Sequence, residues 1–158
     1  PDTEVCCNRG VNGIDGSLST ATGFALGSPR MTYALIGDLS FFYDQNALWK
    51  KSLPSNLRIL LFNNGGGGIF HVLPGLDSEH RDLYIAGSNG FSARHVAETF
   101  GLGYLSAKNA GELDAALKQF CGTGEGKAPL LLEVFTDIEK DASATRALTA
   151  AGAGASDR

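Results

Sequence analysis

The chain has 158 residues, 43% hydrophobic and 19% charged, with a net charge of −4 at neutral pH. That is long enough for one domain with a sizeable core, and the charge leaves no footprint for nucleic acid or an anionic membrane. No apolar run approaches the ~20 residues of a membrane span.

In chain order, Glu4-Val5-Cys6-Cys7 reads as the end of a buried strand. A loop follows, carrying Asn8-Arg9-Gly10 and Gly13-Ile14-Asp15-Gly16. The small-residue stretch 17–26 is expected to be helical, with Ser17 as its N-cap. Met31-Thr32-Tyr33-Ala34-Leu35-Ile36 is the second strand, ending at Gly37-Asp38-Leu39-Ser40. A helix is expected over 41–51, with Pro54 closing the crossover and a third strand over 57–62. Strand, helix, strand at this spacing is the βαβ unit of a parallel sheet.

Past Asn63-Asn64 and the glycine run 65–68, residues 69–90 show no clean period and are expected to be a long surface excursion. Ala93, Val96, Ala97 and Phe100 share one helical face. Asn109-Ala110-Gly111-Glu112 resembles a capping box ahead of the stripe Leu113, Ala116, Leu117 and Phe120. A last strand is expected over 129–135, with Leu130, Leu131 and Leu132 buried. The segment 143–158 is poor in large apolar residues and expected to fray. Residues 1–140 are therefore taken as one domain, N-terminally truncated, and 141–158 as a tail, partly helical and then disordered. Beginning at Pro1, the chain reads as a piece of a longer protein without a targeting leader.

Cys6, Cys7 and Cys121 are odd in number and spaced for neither zinc nor a disulfide framework. They read as reduced thiols of an intracellular protein. Glycine is the compositional outlier, at 21 residues, roughly twice the usual ~7% share. Much of it follows strands, where a bare backbone lets an anion approach closely.

Asp38 and Asn64 carry the functional reading. Each follows an apolar strand, so a parallel βαβ unit sets them side by side at the carboxyl edge of the sheet, where open α/β folds bind ligands. A carboxylate, an amide oxygen and backbone carbonyls are hard donors that suit Mg²⁺, with further oxygens from phosphate and water. The pattern reads as a metal–diphosphate site. The competing reading is a pair of ordinary turns, for which Gly-Asp and Asn-Asn-Gly are natural compositions. A Rossmann dinucleotide site fits poorly, since the run 65–68 lacks the Gly-x-Gly-x-x-Gly helix entry and its acidic partner.

Gly37-Asp38 followed by Asn63-Asn64 resembles the signature of thiamine-diphosphate enzymes. With Asn8-Arg9-Gly10, Gly13-Ile14-Asp15-Gly16, Gly67-Gly68-Ile69-Phe70 and Leu73-Pro74, the chain most resembles the MenD family. These are the 2-succinyl-5-enolpyruvyl-6-hydroxy-3-cyclohexene-1-carboxylate synthases of menaquinone and phylloquinone biosynthesis. The resemblance reaches about residue 140 and concerns the diphosphate-binding (PP) domain. It implies a three-layer α/β/α sandwich around a mainly parallel sheet. It further implies thiamine diphosphate and Mg²⁺ (or Mn²⁺) as cofactors, and a transferase that decarboxylates 2-oxoglutarate and adds the succinyl-semialdehyde carbanion to isochorismate.

The resemblance also distributes roles. Asp38, Asn64 and the Gly66 carbonyl would hold the metal, while Gly37, Leu39 and Ser40 would face the diphosphate. Ile14 would prop the cofactor in its bent form, or simply pack. Arg9 would bind a substrate carboxylate, for which a guanidinium fork is suited; a salt bridge to Asp15 or Asp38 is the bland alternative. Ile69, Phe70 and Leu73 would line the pocket over the cofactor, or pack a loop. His71 and His95 have no role beyond being solvent-facing or satisfied. The catalytic glutamate would come from a separate pyrimidine-binding domain, so no catalytic residue is expected here and the chain alone should not turn over. The implied enzyme is a homodimer or homotetramer, cytoplasmic in a bacterium or plastidic in a photosynthetic eukaryote. Two alternatives stand beside it: another thiamine-diphosphate carboligase of the acetolactate-synthase kind, and a non-catalytic α/β nucleotide-binding module.

Overall fold

Four parallel strands in the order β1-β2-β4-β3 form the centre of the protein: β1 (Thr32–Gly37), β2 (Leu57–Asn63), β3 (Gly103–Ala107) and β4 (Leu130–Phe135). A computed structural model describes residues 3–7, 13–122 and 128–153. The helices are α1 (Ser17–Gly27), α2 (Asp38–Tyr43), α3 (Arg94–Phe100), α4 (Ala110–Phe120) and α5 (Ile138–Ala153). None among the described residues is long and apolar enough to cross a membrane.

Alternation along the strands sorts the core into two faces. Leu57, Ile59 and Leu61 of β2 and Leu131 of β4 meet Leu18 and Ala25 of α1, Phe41 of α2 and Ala97 of α3. Leu132 and Val134 point the other way, against Ala116 and Phe120 of α4, with Leu113 and Leu117 alongside. Helices on both faces of a parallel sheet make the three-layer α/β/α sandwich that the resemblance implies. The face of α3 and the stripe of α4 are both core, and Leu131 and Leu132 are fully buried while Leu130 is partly so. The Asn109 side chain accepts from the Glu112 amide at 3.0 Å, and Glu112 reaches back to the Lys108 amide at 2.8 Å, which anchors α4.

Four local expectations need correction. Residues 4–7 form no strand, and Val5 is 90% exposed; one β-branched residue in a run so short buries too little to offset the entropy of ordering it. The N-cap of α1 is Gly16, at φ 75°, and Ser17 is the first helical residue. The capping carboxylate arrives from elsewhere: Asp44 accepts from the Ser19 amide and hydroxyl, both at 2.6 Å.

That remote cap also explains the third difference. In place of one helix over 41–51, α2 begins at Asp38 straight out of β1 and ends at Tyr43, followed by a 3-10 turn over Gln45–Leu48. Leaving helical geometry at Asp44 turns its carboxylate toward α1. Lastly, β3 forms over Gly103–Ala107, where no strand was expected. Helix α5 runs through Ala153, across the tail expected to be partly helical. It buries Ala142, and Arg146 donates to the His71 carbonyl at 2.9 Å. The excursion over 69–90 is surface loop broken by short turns at Gly68–His71 and Arg81–Ile85. All three cysteines are free and exposed.

Candidate cofactor and metal site

The register of the sheet assembles the site. Gly37 of β1 stands opposite Phe62 of β2, so Asp38 and the Asn63-Asn64 pair leave the same carboxyl edge. Asp38 is only 2% exposed although it is the first residue of a surface helix. Its carboxylate takes a long hydrogen bond from the Asn89 side chain, at 3.5 Å, and interacts with the backbone amides of Leu39 and Gly65. No described basic side chain pairs with it. Burial holds its pKa above the ordinary carboxylate range, with those hydrogen bonds opposing the shift. A buried carboxylate in this condition suits a cation.

The loop after β2 supplies the facing wall. The Gly65 amide donates to Asn63 Oδ1 at 3.2 Å and the Gly66 amide to Asn64 Oδ1 at 3.3 Å. Gly65 needs to be glycine, with φ 81°. Two backbone bonds tie the run to the excursion, Asn89 N to the Gly65 carbonyl at 2.8 Å and Gly67 N to the Ala86 carbonyl at 2.7 Å. A Cβ on Gly66 would stand 3.1 Å from the Ala86 carbonyl, so close backbone approach keeps that position bare. Gly37 is different: it is exposed, its φ is −82°, and a Cβ there would meet nothing within 4 Å. Neither backbone strain nor packing accounts for glycine at 37.

Asn63 is not a site residue. It is buried, and its amide donates to the Phe91 carbonyl at 2.8 Å and to Glu133 at 2.7 Å. Glu133 is fully buried in β4 and also accepts from Ser92 Oγ (2.8 Å), Ala93 N (3.0 Å) and Tyr104 OH (2.5 Å). This hub fastens β2, β3, β4 and the start of α3 just beneath the site. Sequence reasoning missed it, and the one available signal was a lone carboxylate inside an apolar strand. It missed Asn89 as well, which nothing in its local sequence marks.

The remaining predicted residues divide clearly. Ile69 (60% exposed), Leu73 (46%) and Ile14 (40%) present apolar side chains to solvent and not to the core. Phe70 instead packs over Gly67, where a Cβ would fall 2.8 Å from the ring. Leu39 and Ser40 lie half-buried in the first turn of α2, beside Asp38. Arg9 falls outside the described residues. His71 is buried and not solvent-facing: its Nδ1 hydrogen-bonds Glu139 at 2.8 Å, while Nε2 lies 3.1 Å from Asp82 without hydrogen-bond geometry. His95 is exposed beside Glu98, at 3.1 Å.

The donors available to a cation are thus one carboxylate, one amide oxygen and backbone carbonyls. Among the described residues no trio of His, Cys, Asp or Glu converges. That donor set fits a hard, oxygen-loving ion such as Mg²⁺ or Mn²⁺.

Comparison with known proteins identifies the family. The family model described as thiamine pyrophosphate enzyme, C-terminal TPP binding domain, matches residues 3–134. A protein of Phocaeicola vulgatus is 49% identical over 147 residues, covering 92% of this chain and 26% of that protein. One from Bacteroides thetaiotaomicron is 52% identical over 140 residues, 88% of this chain and 25% of that protein. One from Desulfotalea psychrophila is 44% identical over 135 residues, 84% of this chain and 24% of that protein. Each carries the name 2-succinyl-5-enolpyruvyl-6-hydroxy-3-cyclohexene-1-carboxylate synthase. The chain spans about a quarter of the length of these curated relatives. With the signature residues gathered at one sheet edge and a match across most of its length, the chain belongs to the thiamine pyrophosphate enzyme family, as its C-terminal TPP-binding domain.

Proposed function

We propose that this domain holds the diphosphate and metal of a thiamine-diphosphate-dependent synthase in menaquinone or phylloquinone biosynthesis. The enzyme decarboxylates 2-oxoglutarate and joins the remaining four-carbon unit to isochorismate. The names of the relatives support that choice over an acetolactate-synthase-like carboligase. The observation that carries the site is the buried Asp38 carboxylate, without a basic partner among the described residues and bracketed by the loop after β2.

Asp38, Asn64 Oδ1 and the Gly66 carbonyl hold Mg²⁺ (or Mn²⁺). The open strand end at Gly37, with Leu39 and Ser40, receives the diphosphate. Bound thiamine diphosphate supplies the carbanion chemistry. The domain binds and orients it, and Ile14, Ile69, Phe70 and Leu73 keep water from the reacting end. Arg9 takes a substrate carboxylate. A glutamate that acts on the cofactor comes from a pyrimidine-binding domain, the site lies between subunits of a homodimer or homotetramer, and this domain alone is inactive. The relatives named above are bacterial, which favours the cytoplasm over the plastid.

Calorimetric titration of thiamine diphosphate, with and without Mg²⁺, against wild type and Asp38→Ala tests the reading. Binding should require both the metal and Asp38. Metal-independent binding to the full-length protein, unchanged in Asp38→Ala, would overturn the site; turnover of pyruvate but not isochorismate would overturn the substrates.

A further inference from the structure

The Asn64 amide can present either oxygen or nitrogen to the space beside Asp38, and only oxygen can ligate a hard cation. We propose that Asp141, in the first turn of α5, is a positioning residue that fixes this amide with its oxygen toward the metal; the inference rests on the site reading above. Asn64 Nδ2 donates to Asp141 Oδ2 at 3.2 Å, while Asn64 Oδ1 accepts from the Gly66 amide at 3.3 Å. Reversing the amide would set an oxygen against a carboxylate and an NH₂ group against an N–H, so the partners permit one orientation.

The carboxylate is itself held in place. Its Oδ2 accepts from Thr136 Oγ1 at 2.6 Å, and the Thr136 amide donates to the Asn63 carbonyl at 2.9 Å, tying the end of β4 to the end of β2. Gly68 completes the clamp. A Cβ there would lie 3.0 Å from Asn64 Nδ2 and 3.9 Å from Ile138, so the bare position leaves room for the amide nitrogen beside α5. This gives the fourth glycine of the run a reason, and gives α5, which begins beyond the family match at residue 134, a part in the site.

Loss of a residue that orients a metal ligand typically costs about 10–100-fold in metal affinity. The test measures Mn²⁺ affinity in the presence of thiamine diphosphate, by electron paramagnetic resonance, on the full-length protein. Asp141→Asn should weaken Mn²⁺ about tenfold or more, because the new amide can donate to Asn64 and accept its reversed orientation. The swap Asn64→Asp with Asp141→Asn should restore affinity, since a carboxylate at 64 offers oxygen either way round and accepts from the amide at 141. Thr136→Val, which frees the carboxylate without removing it, should weaken Mn²⁺ to an intermediate degree and serves if Asp141→Asn fails to fold. Wild-type affinity in Asp141→Asn or, failing that, in Thr136→Val would overturn the inference. So would a swap that folds but binds as weakly as Asp141→Asn, because the residue would then act through charge alone. Asp38→Ala separates the two readings: if it binds Mn²⁺ like wild type, the metal site itself is misplaced; if only Asp38→Ala is impaired, the positioning role alone falls.

Discussion

Replacing Glu133 should be among the most damaging single changes outside the site, and the chemistry of the replacement should decide by how much. The residue is 0% exposed and accepts from Asn63, Ser92, Ala93 and Tyr104. Its two oxygens differ in what they meet. Oε1 faces the Asn63 amide and the Ala93 backbone N–H, which can only donate from those atoms; Oε2 faces the hydroxyls of Ser92 and Tyr104, which can turn and accept. Glu133→Gln can therefore keep an oxygen on the first side and let its NH₂ donate to the two hydroxyls. It loses charge assistance, and the two hydroxyl protons that Oε2 accepted must turn to other acceptors, a cost of about 1–2 kcal/mol. Glu133→Ala strands every donor in a dry interior. At about 1–3 kcal/mol for each unsatisfied group, with some regained as neighbours relax and water enters the gap, the expected loss is about 3–5 kcal/mol. Urea denaturation of the three proteins measures both. Equal losses for Gln and Ala would show that the charge matters and the donor pattern does not; a loss below about 1 kcal/mol for Ala would refute the hub.

Two further predictions concern polar partners distant in sequence. Asp44→Ala removes the carboxylate from the Ser19 amide and hydroxyl. It should destabilise the fold by about 1–2 kcal/mol, as for loss of an ordinary helix cap, read as a lower urea midpoint at unchanged slope; no change would mean that water caps α1 equally well. Tyr104 has its pKa raised by burial and by its hydrogen bond to Glu133, against opposing effects of Ser92 and Arg94. The folded chain then holds this proton where the unfolded chain has lost it, so the Tyr104 contribution to stability falls as pH rises from the ordinary tyrosine value through its own. Ultraviolet titration should show a phenol ionising above that ordinary value, and Tyr104→Phe should remove that component.

What could be read from the sequence, and what could not, separates along physical lines. An apolar period reports how a segment meets water, and the segment's own residues suffice to state it. Strands β1, β2 and β4 and the stripes of α3 and α4 were legible for that reason; the short β3, of which only Ala107 is fully buried, was not. Asp38 beside the glycine loop was legible too, because two strand ends in a parallel βαβ unit must emerge at one edge. A polar side chain inside a fold reports instead which distant group it meets. Asp44 meets Ser19 across 25 residues, Asn89 meets Asp38 across 51, Glu133 meets Asn63 across 70, and Asp141 meets Asn64 across 77. None of these pairs has a period or a spacing to betray it. Asp44 shows the consequence: its cap on α1 ends α2 early, so a helix boundary that looked like a matter of local propensity was decided by a partner in another element. The same holds at the site. The Asn63-Asn64 pair looks like one motif of two equivalent amides, yet the first donates to the buried Glu133 and the second to Asp141 at the start of α5. Two carboxylates from β4 and α5 therefore give the two amides different partners, a distinction that exists only once the chain has folded.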